Sequence, residues 1–455
     1  MGKKEKYELL LPTEAPPSGF DVSLAERGLE GFFSKLTRAQ RINVIEKVVD
    51  FPVAAELDSY LHSDASLQKI FAELSENYLT NYFLPLGVVP NVLINEKLYM
   101  VPVVTEESSV VAAASRASKF WAANGGFNIE VKGTVKKGQV HFIWNGDPQY
   151  FTSIFQSIKK PLLDSTLDIT EGMRSRGGGI TLVDLVDKTS DIPGYFQLDV
   201  SFETADAMGA NFINSCLERM ADTLKKESAL YENEGNLEVI MAILSNYTPE
   251  SIVVCKVECP VGQLSAVSGI YSPSDFARRF VLAVQIANCD VSRAVTHNKG
   301  IYNGVDAAML ATGNDWRAIE AAGHSYSSKD GPYRSLSSAE VVDGIFRFTL
   351  TLPLAVGTVG GLTNLHPMAK LVMKILGNPS VKELMGIAAT LGMATNFSAI
   401  ASLITTGIQK GHMKMHLSNI LNQLGASEEQ ITRAKEFFAD KTVSYSAVEK
   451  YLKGK

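Results

Sequence analysis

From Leu384 to Ile408 the chain runs 25 residues without a charged side chain. A stretch this long and apolar either crosses a bilayer or lies as a helix, or a helix pair, inside a protein core. Its polar content favours the core. Thr390, Thr395, Asn396, Ser398, Ser402, Thr405 and Thr406 interrupt it, together with three glycines. The chain is therefore expected to stay out of the membrane. The opening MGKKEKYELLLPTEAPPSGF has no sustained apolar region, so no secretory signal is expected. Four cysteines in 455 residues make no disulfide framework. Cys255 and Cys259, spaced C-x3-C with no nearby His, read as strand or core residues rather than zinc ligands, and no metal is expected. This cysteine usage fits a reducing cytoplasm. With net charge -6 and no long basic patch, the chain is not expected to bind nucleic acid.

At this length two or three cores are expected. Thr37 reads as the cap of a helix carrying Ile42, Val44, Ile45 and Val48. Residues 82–104 are rich in β-branched and turn residues, with a hairpin turn at Asn95-Glu96-Lys97. The small residues from Val110 to Ala117 predict a closely packed helix. Glu106, Glu107, Ser108 and Ser109 stand at its start, where capping is the plain role for a carboxylate. Asn124-Gly125-Gly126 marks a boundary near 129. Residues 130–245 then read as β-α-β-β-α-β over an antiparallel sheet, opening with a hairpin around Lys136-Lys137-Gly138. Within it, Asp206-Ala207-Met208-Gly209-Ala210-Asn211 starts a helix. A glycine there lets a ligand approach the backbone, and free helix-start amides suit a pyrophosphate. The chain after 246 returns to an α-rich body, and after the glycines at 407 and 411 the tail reads as two or three short helices.

The chemistry is expected between Arg293 and Asp315. Lys299 lies among small residues, which suggests a packed site where a lysine needs a partner to stay ionised. Sixteen residues on, Asp315 offers a carboxylate in the turn-like ATGND, and the apolar run Val305–Ala311 is expected to bring the two to one side.

Taken together, ENYLTNYFLPLGV, TEESSVVAAAS, DAMGANFIN, THNKGIYNG with ATGND, GTVGG and GHM occur in the order found in 3-hydroxy-3-methylglutaryl-CoA (HMG-CoA) reductase, which the chain resembles. The resemblance is specifically to class II, the soluble prokaryotic type, and runs from GLEGFFSKL to GIQKGHMKMH. It implies an α+β fold with three parts. Residues 1–129 and 246–405 would form a large α-rich domain that binds substrate and carries the catalytic groups. Residues 130–245 would be an inserted ferredoxin-like NAD(P)-binding domain, and 406–455 a C-terminal flap. It implies reduction of HMG-CoA to mevalonate and CoA, with two NADH or NADPH, through bound mevaldehyde. The cofactor choice stays open. Matched residue by residue, Lys299 would stabilise the oxyanion, Glu107 would donate a proton, and Asp315 would link the two. His412 would protonate the departing CoA thiolate. Arg293, Ser109 and Asn303 match substrate-binding positions, with Arg293 on the HMG carboxylate. Asp206, Met208, Gly209, Asn211 and Asn246 match cofactor-binding positions. Family members are homodimers or dimer-based oligomers with shared active sites. The competing reading is an inactive CoA- or nucleotide-binding regulator, against which the intact Glu107, Lys299, Asp315, His412 set argues.

Overall fold

A computed structural model of the chain describes residues 33–405, 417–418, 420–438, 441 and 443–454. It divides into two compact units, one of Met1–Leu84 with Leu365–Pro367, the other of Pro85–Asn364 with Met368–Lys455.

The first unit carries helices α1 (Arg38–Val49), α2 (Ala54–Ser59) and α3 (Ala65–Glu73). Thr37 caps α1 as expected, in a reciprocal box with Gln40. Polar contacts do much of the binding: Arg41 donates to the Tyr78 carbonyl at 3.1 Å, and Thr80 to that of Leu57 at 2.6 Å.

The second unit begins with the hairpin β1 (Leu86–Ile94) and β2 (Lys97–Val104). Its turn residues Asn95 and Glu96 both have positive φ, 43° and 67°, the conformation that follows strand twist in a two-residue turn. The helix α4 (Ser108–Ala122) packs on it, burying Val110, Ala114, Ala117, Phe120 and Trp121. A four-stranded antiparallel sheet follows in the order β3-β8-β10-β9. Its strands are β3 (Asn128–Val131), β8 (Ile252–Pro260), β9 (Ser337–Val342) and β10 (Ile345–Pro353). A second sheet is inserted between β3 and β8. It holds β4 (Lys136–Trp144), β5 (Gly179–Asp187), β6 (Tyr195–Glu203) and β7 (Leu237–Ser245), in the antiparallel order β5-β6-β4-β7. Its helices are α5 (Pro148–Asp164), α6 (Leu167–Arg174) and α7 (Ala210–Ser228). The fold is thus mixed α/β, with separate apolar cores on the two sheets.

The expected hairpin around Lys136-Lys137-Gly138 is not there. Residues 136–144 form one strand with strict alternation of burial, while β3 pairs with β8 in the other sheet. Gly138 serves packing rather than turning: a Cβ there would stand 2.4 Å from Leu217 of α7.

The body of the first core is built by α8 (Pro273–Cys289), α9 (Val291–Thr312), α10 (Trp316–Tyr326) and α11 (Val381–Ile404). The last carries the uncharged run as far as Ile404. It is long and apolar enough to cross a membrane, yet 72% of its most apolar window is buried inside the protein. Its polar residues are spent inward. Thr395 Oγ1 donates to the Gly300 carbonyl at 2.8 Å, and Asn396 Nδ2 to that of His297 at 3.1 Å, pinning α11 to α9. A Cβ on Gly304 would lie 2.2 Å from the Leu391 carbonyl oxygen, so the helices touch backbone to backbone. Cys255 and Cys259 lie buried on β8, as expected of core residues. In the tail, α12 (Glu428–Phe437) and α13 (Tyr445–Leu452) share a small core of their own.

Candidate active site

Most of the residues singled out in sequence fall into two clefts. The first, of about 520 Å³, lies between α4, α9 and α11. Arg293, Thr296, Gly300 and Asn303 face it from α9 at spacings of three, four and three, which is one side of a helix. Lys299 joins them. From α4 come Glu107, Ser109 and Arg116, and from α11 come Asn396 and Ser398.

Glu107 occupies the N-cap of α4, but its side chain makes no cap bond. Instead its Oε1 accepts the Ser109 hydroxyl, and its Oε2 lies 3.9 Å from Lys299 Nζ. The capping role that sequence alone suggests for this carboxylate is therefore not what it does. Lys299 is not buried: its side chain is 65% exposed, against 44% for Glu107. Arg293 opens α9, whose first turn is capped by Asp290 through the Arg293 amide at 2.6 Å. Partial burial lowers the pKa of its guanidinium, which stays charged. His297 lies beside it, 1% exposed, with Nε2 2.7 Å from Ser337 Oγ. Burial and the neighbouring Arg293 push its pKa down to about 3, so it is a neutral hydrogen-bonding post and no proton donor.

The second cleft, of about 640 Å³, is lined by Met208, Gly209, Ala210 and Asn211 at the start of α7, by 313–317, and by 357 and 359–363. The motif ATGND explains itself here. Gly313 ends α9 in the left-handed conformation at φ 72°. Asn314 clamps Gly357 with two bonds, 2.8 and 3.1 Å. Asp315 caps α10 through the amides of Arg317 and Ala318, and pairs with the Arg317 side chain at 3.3 Å. Gly209 stands at the N-cap of α7 with φ 85°, and offers no side chain to the first amides of the helix. A Cβ on Gly209 would press on Thr204 at 2.6 Å, so this glycine answers to the chain's own packing as well. At Gly360 and Gly361, by contrast, a Cβ would meet nothing within 4 Å. An uncapped helix start, bare glycine backbone and the exposed Arg317 suit an anionic, pyrophosphate-bearing ligand.

Lys299 and Asp315 do not meet within one chain. The run Val305–Ala311 does not fold back but continues α9, and the thirteen helical steps from Lys299 to Thr312 rise about 20 Å. Asp206 and Asn246 lie near the second cleft without lining it. Asp206 Oδ1 accepts the Val381 amide at 3.1 Å and faces a neighbouring cleft with Lys370 and Lys374. Asn246 borders a small void beside Met208 and Lys136. His412 lies outside the described residues. Sequence reasoning missed Arg116 and Asn314. Arg116 follows Ser109 by seven on a helix of small residues, a spacing that puts both on one face.

A sequence model described as hydroxymethylglutaryl-coenzyme A reductase matches residues 37–417. The chain belongs to the hydroxymethylglutaryl-coenzyme A reductase family. It is 33% identical over 417 residues to the 3-hydroxy-3-methylglutaryl-coenzyme A reductase of Archaeoglobus fulgidus, covering 90% of each chain. With the probable reductase of Borreliella burgdorferi it shares 32% over 404 residues, 87% of this chain and 89% of that one. Among solved structures, a Streptococcus pneumoniae 3-hydroxy-3-methylglutaryl-coenzyme A reductase superposes with a TM-score of 0.67 at 35% identity. That match covers 93% of this chain and 99% of the other. A class II reductase of the same organism, bound to NADPH in open conformations, gives 0.67 at 36%, over 82% and 99%. The mixed α/β fold matches that of the solved reductases.

Proposed function

We propose that the chain reduces the thioester of HMG-CoA to mevalonate and free CoA, consuming two reduced nicotinamide cofactors and two protons. The observation that carries this reading is the Glu107–Lys299 pair, 3.9 Å apart beside Arg293 and Asn303. A bound reduced nicotinamide supplies hydride, once to the thioester and once to the aldehyde. All else falls to the protein. Arg293 grips the HMG carboxylate, and Ser109 and Asn303 orient the substrate. Lys299 meets the oxygen on which charge develops, and a fixed cation there favours the transition state by a few kcal/mol. Glu107, held by Ser109, delivers the proton to the aldehyde oxygen. His412 protonates the thiolate as CoA departs. Met208, Gly209, Asn211 and the first amides of α7 hold the cofactor, with Asp206 and Asn246 supporting that loop from either side.

The separation of Asp315 from Lys299 supports a homodimer in which a second copy brings its cofactor cleft to the first copy's substrate cleft. The hairpin offers apolar surface for such pairing: Leu86, Val88, Leu98 and Met100 are 41–62% exposed. In this arrangement 1–129 with 246–405 is the catalytic body, 130–245 the cofactor domain and 406–455 the C-terminal flap, all acting in the cytoplasm. An inactive regulator is not favoured, since the cation and acid of the first cleft stand paired. The test is HMG-CoA-dependent oxidation of NADH and NADPH, measured side by side with mevalonate as product. A folded protein that turns over with neither cofactor refutes the reading.

A further inference from the structure

Lys136, the first residue of β4, sends its side chain inward beneath the turn that leads into α7. It is 3% exposed. Its ammonium donates to Thr204 Oγ1 at 2.6 Å and to the Ala207 carbonyl at 3.3 Å. The Thr204 hydroxyl donates to that same carbonyl at 2.6 Å, and the Ala207 amide returns a bond to the Thr204 carbonyl at 3.0 Å. The turn needs holding: Ala205 sits at φ 48°, a conformation costly for a residue with a Cβ. On its other side it is tied to the 357–359 segment, where the Thr358 amide donates to the Asp206 carbonyl at 2.8 Å.

Burying an ammonium is expensive, and a hydroxyl plus one carbonyl compensate it less well than a carboxylate would. Glu203 is the charged group that faces it, and that carboxylate is already engaged by the Thr134 hydroxyl. The other walls are uncharged: Ile213 of α7, Ala318 and Ala322 of α10, Leu244 and Ser245 of β7, with Asn246 and Thr248 beyond. Stability alone would favour a neutral side chain at this position. What the ammonium adds is a positive charge and a fixed turn directly behind Met208, Gly209 and Asn211.

We propose that Lys136 is a positioning residue for the nicotinamide cofactor, fixing the 204–207 turn so that Met208–Asn211 and the α7 amides face the cofactor's phosphates. This rests on the reading that the second cleft holds the cofactor. Burial pushes the Lys136 pKa down to about 8. Above that pH the amine keeps two N–H donors but loses its charge, so both bonds weaken and the field behind the phosphates disappears. Cofactor affinity therefore falls as pH rises through the lysine's pKa, while HMG-CoA, in the other cleft, is little affected.

The experiment is a fluorescence titration of NADPH and NADH into the intact protein from neutral to alkaline pH, on the parent, K136M and N211A. K136M keeps the apolar stem without the charge. It is expected to weaken cofactor binding about tenfold at neutral pH, as the 204–207 turn loses its ammonium tie and the phosphates lose the charge behind them, and to flatten the pH dependence. Its KM for HMG-CoA should stay within about twofold of the parent's, because a tenfold change is one bond's worth and none is lost there. Parental pH dependence persisting in K136M overturns the proposal. If K136M does not fold, the parent alone decides, because cofactor affinity unchanged across the alkaline range overturns it equally. N211A separates the two levels of the argument. Unchanged binding in N211A sinks the cofactor-cleft reading itself, whereas weakened binding in N211A with parental binding in K136M sinks only the role of Lys136.

Discussion

Replacing Lys299 with methionine should separate catalysis from stability. In the resting protein the ammonium and the Glu107 carboxylate are 3.9 Å apart and both substantially solvated, at 65% and 44% exposure. An ion pair that exposed is worth about 0–1 kcal/mol after screening and side-chain entropy. The methionine keeps most of the apolar stem, so K299M should unfold within about 1 kcal/mol of the parent. The same cation beside a developing oxyanion, with substrate covering it and water displaced, is worth about 3–4 kcal/mol. The expected loss in kcat is therefore about a hundredfold to a thousandfold. KM for HMG-CoA should change little if Arg293 holds the carboxylate end of the substrate, as proposed. R293M should show the converse pattern, a raised KM with a smaller loss in kcat. Steady-state oxidation of the reduced cofactor, with urea unfolding of the same preparations, reads both quantities. A K299M protein with kcat within about threefold of the parent, less than 1 kcal/mol of barrier, would refute the assignment. So would one whose activity loss is matched by an equal loss of stability.

Two further perturbations test the frame around the site. Asp306, two turns beyond Lys299 on α9, has a pKa raised to about 8 by burial first, then by the charges of Glu320 and Glu106, with Lys299 opposing. Its folded pKa lies above its unfolded one, so its stabilising contribution is complete below the ordinary carboxyl range and is lost as pH rises towards 8. D306N should gain stability relative to the parent across that window, with a slope of at most about 1.4 kcal/mol per pH unit, and parallel melting-versus-pH curves would contradict this. G304A places a methyl 2.2 Å from the Leu391 carbonyl oxygen and forces α9 and α11 apart. It should cost about 1–3 kcal/mol in urea unfolding and raise KM for HMG-CoA, and an unchanged midpoint would show that the helices are not in the contact described.

Much of the fold could be read from the chain because its signals are local. The Thr37 cap, the Asn95-Glu96 turn and the small-residue helix after Glu107 each depend on neighbours a few positions away. The uncharged run also read correctly as core, because seven hydroxyl and amide side chains need partners that lipid does not supply. The hairpin at Lys136-Lys137-Gly138 failed where turn chemistry and strand alternation competed. Gly138 looked like a turn residue because its reason for being glycine, Leu217 of α7, lies far along the chain. Lys136 was taken for a turn-tip lysine for the same cause, although it stands in phase with Val140, Phe142 and Trp144.

The site residues were legible as types and not as distances. Lys299 was read as packed because its neighbours in sequence are small and few are charged, but adjacency along a helix is not adjacency in space. The buried stripe of α9 runs through Ala294, His297, Asn298, Ile301, Tyr302 and Val305, and Lys299 falls outside it, where a substrate can reach the ammonium. The same helix geometry governs Asp315. A chain that needed Lys299 and Asp315 in one cleft would have to break α9 between them. The sequence instead fills that interval with buried Val305, Ala307, Ala308, Met309 and Ala311, without a proline; Gly304 is pressed against Leu391, and Gly313 only ends the helix. An uninterrupted core helix is a rigid spacer of about 20 Å, and no side chain spans that length. The two clefts of one chain do not reach one another along α9, and this spacing is what supports the proposal that a second copy presents its own Asp315.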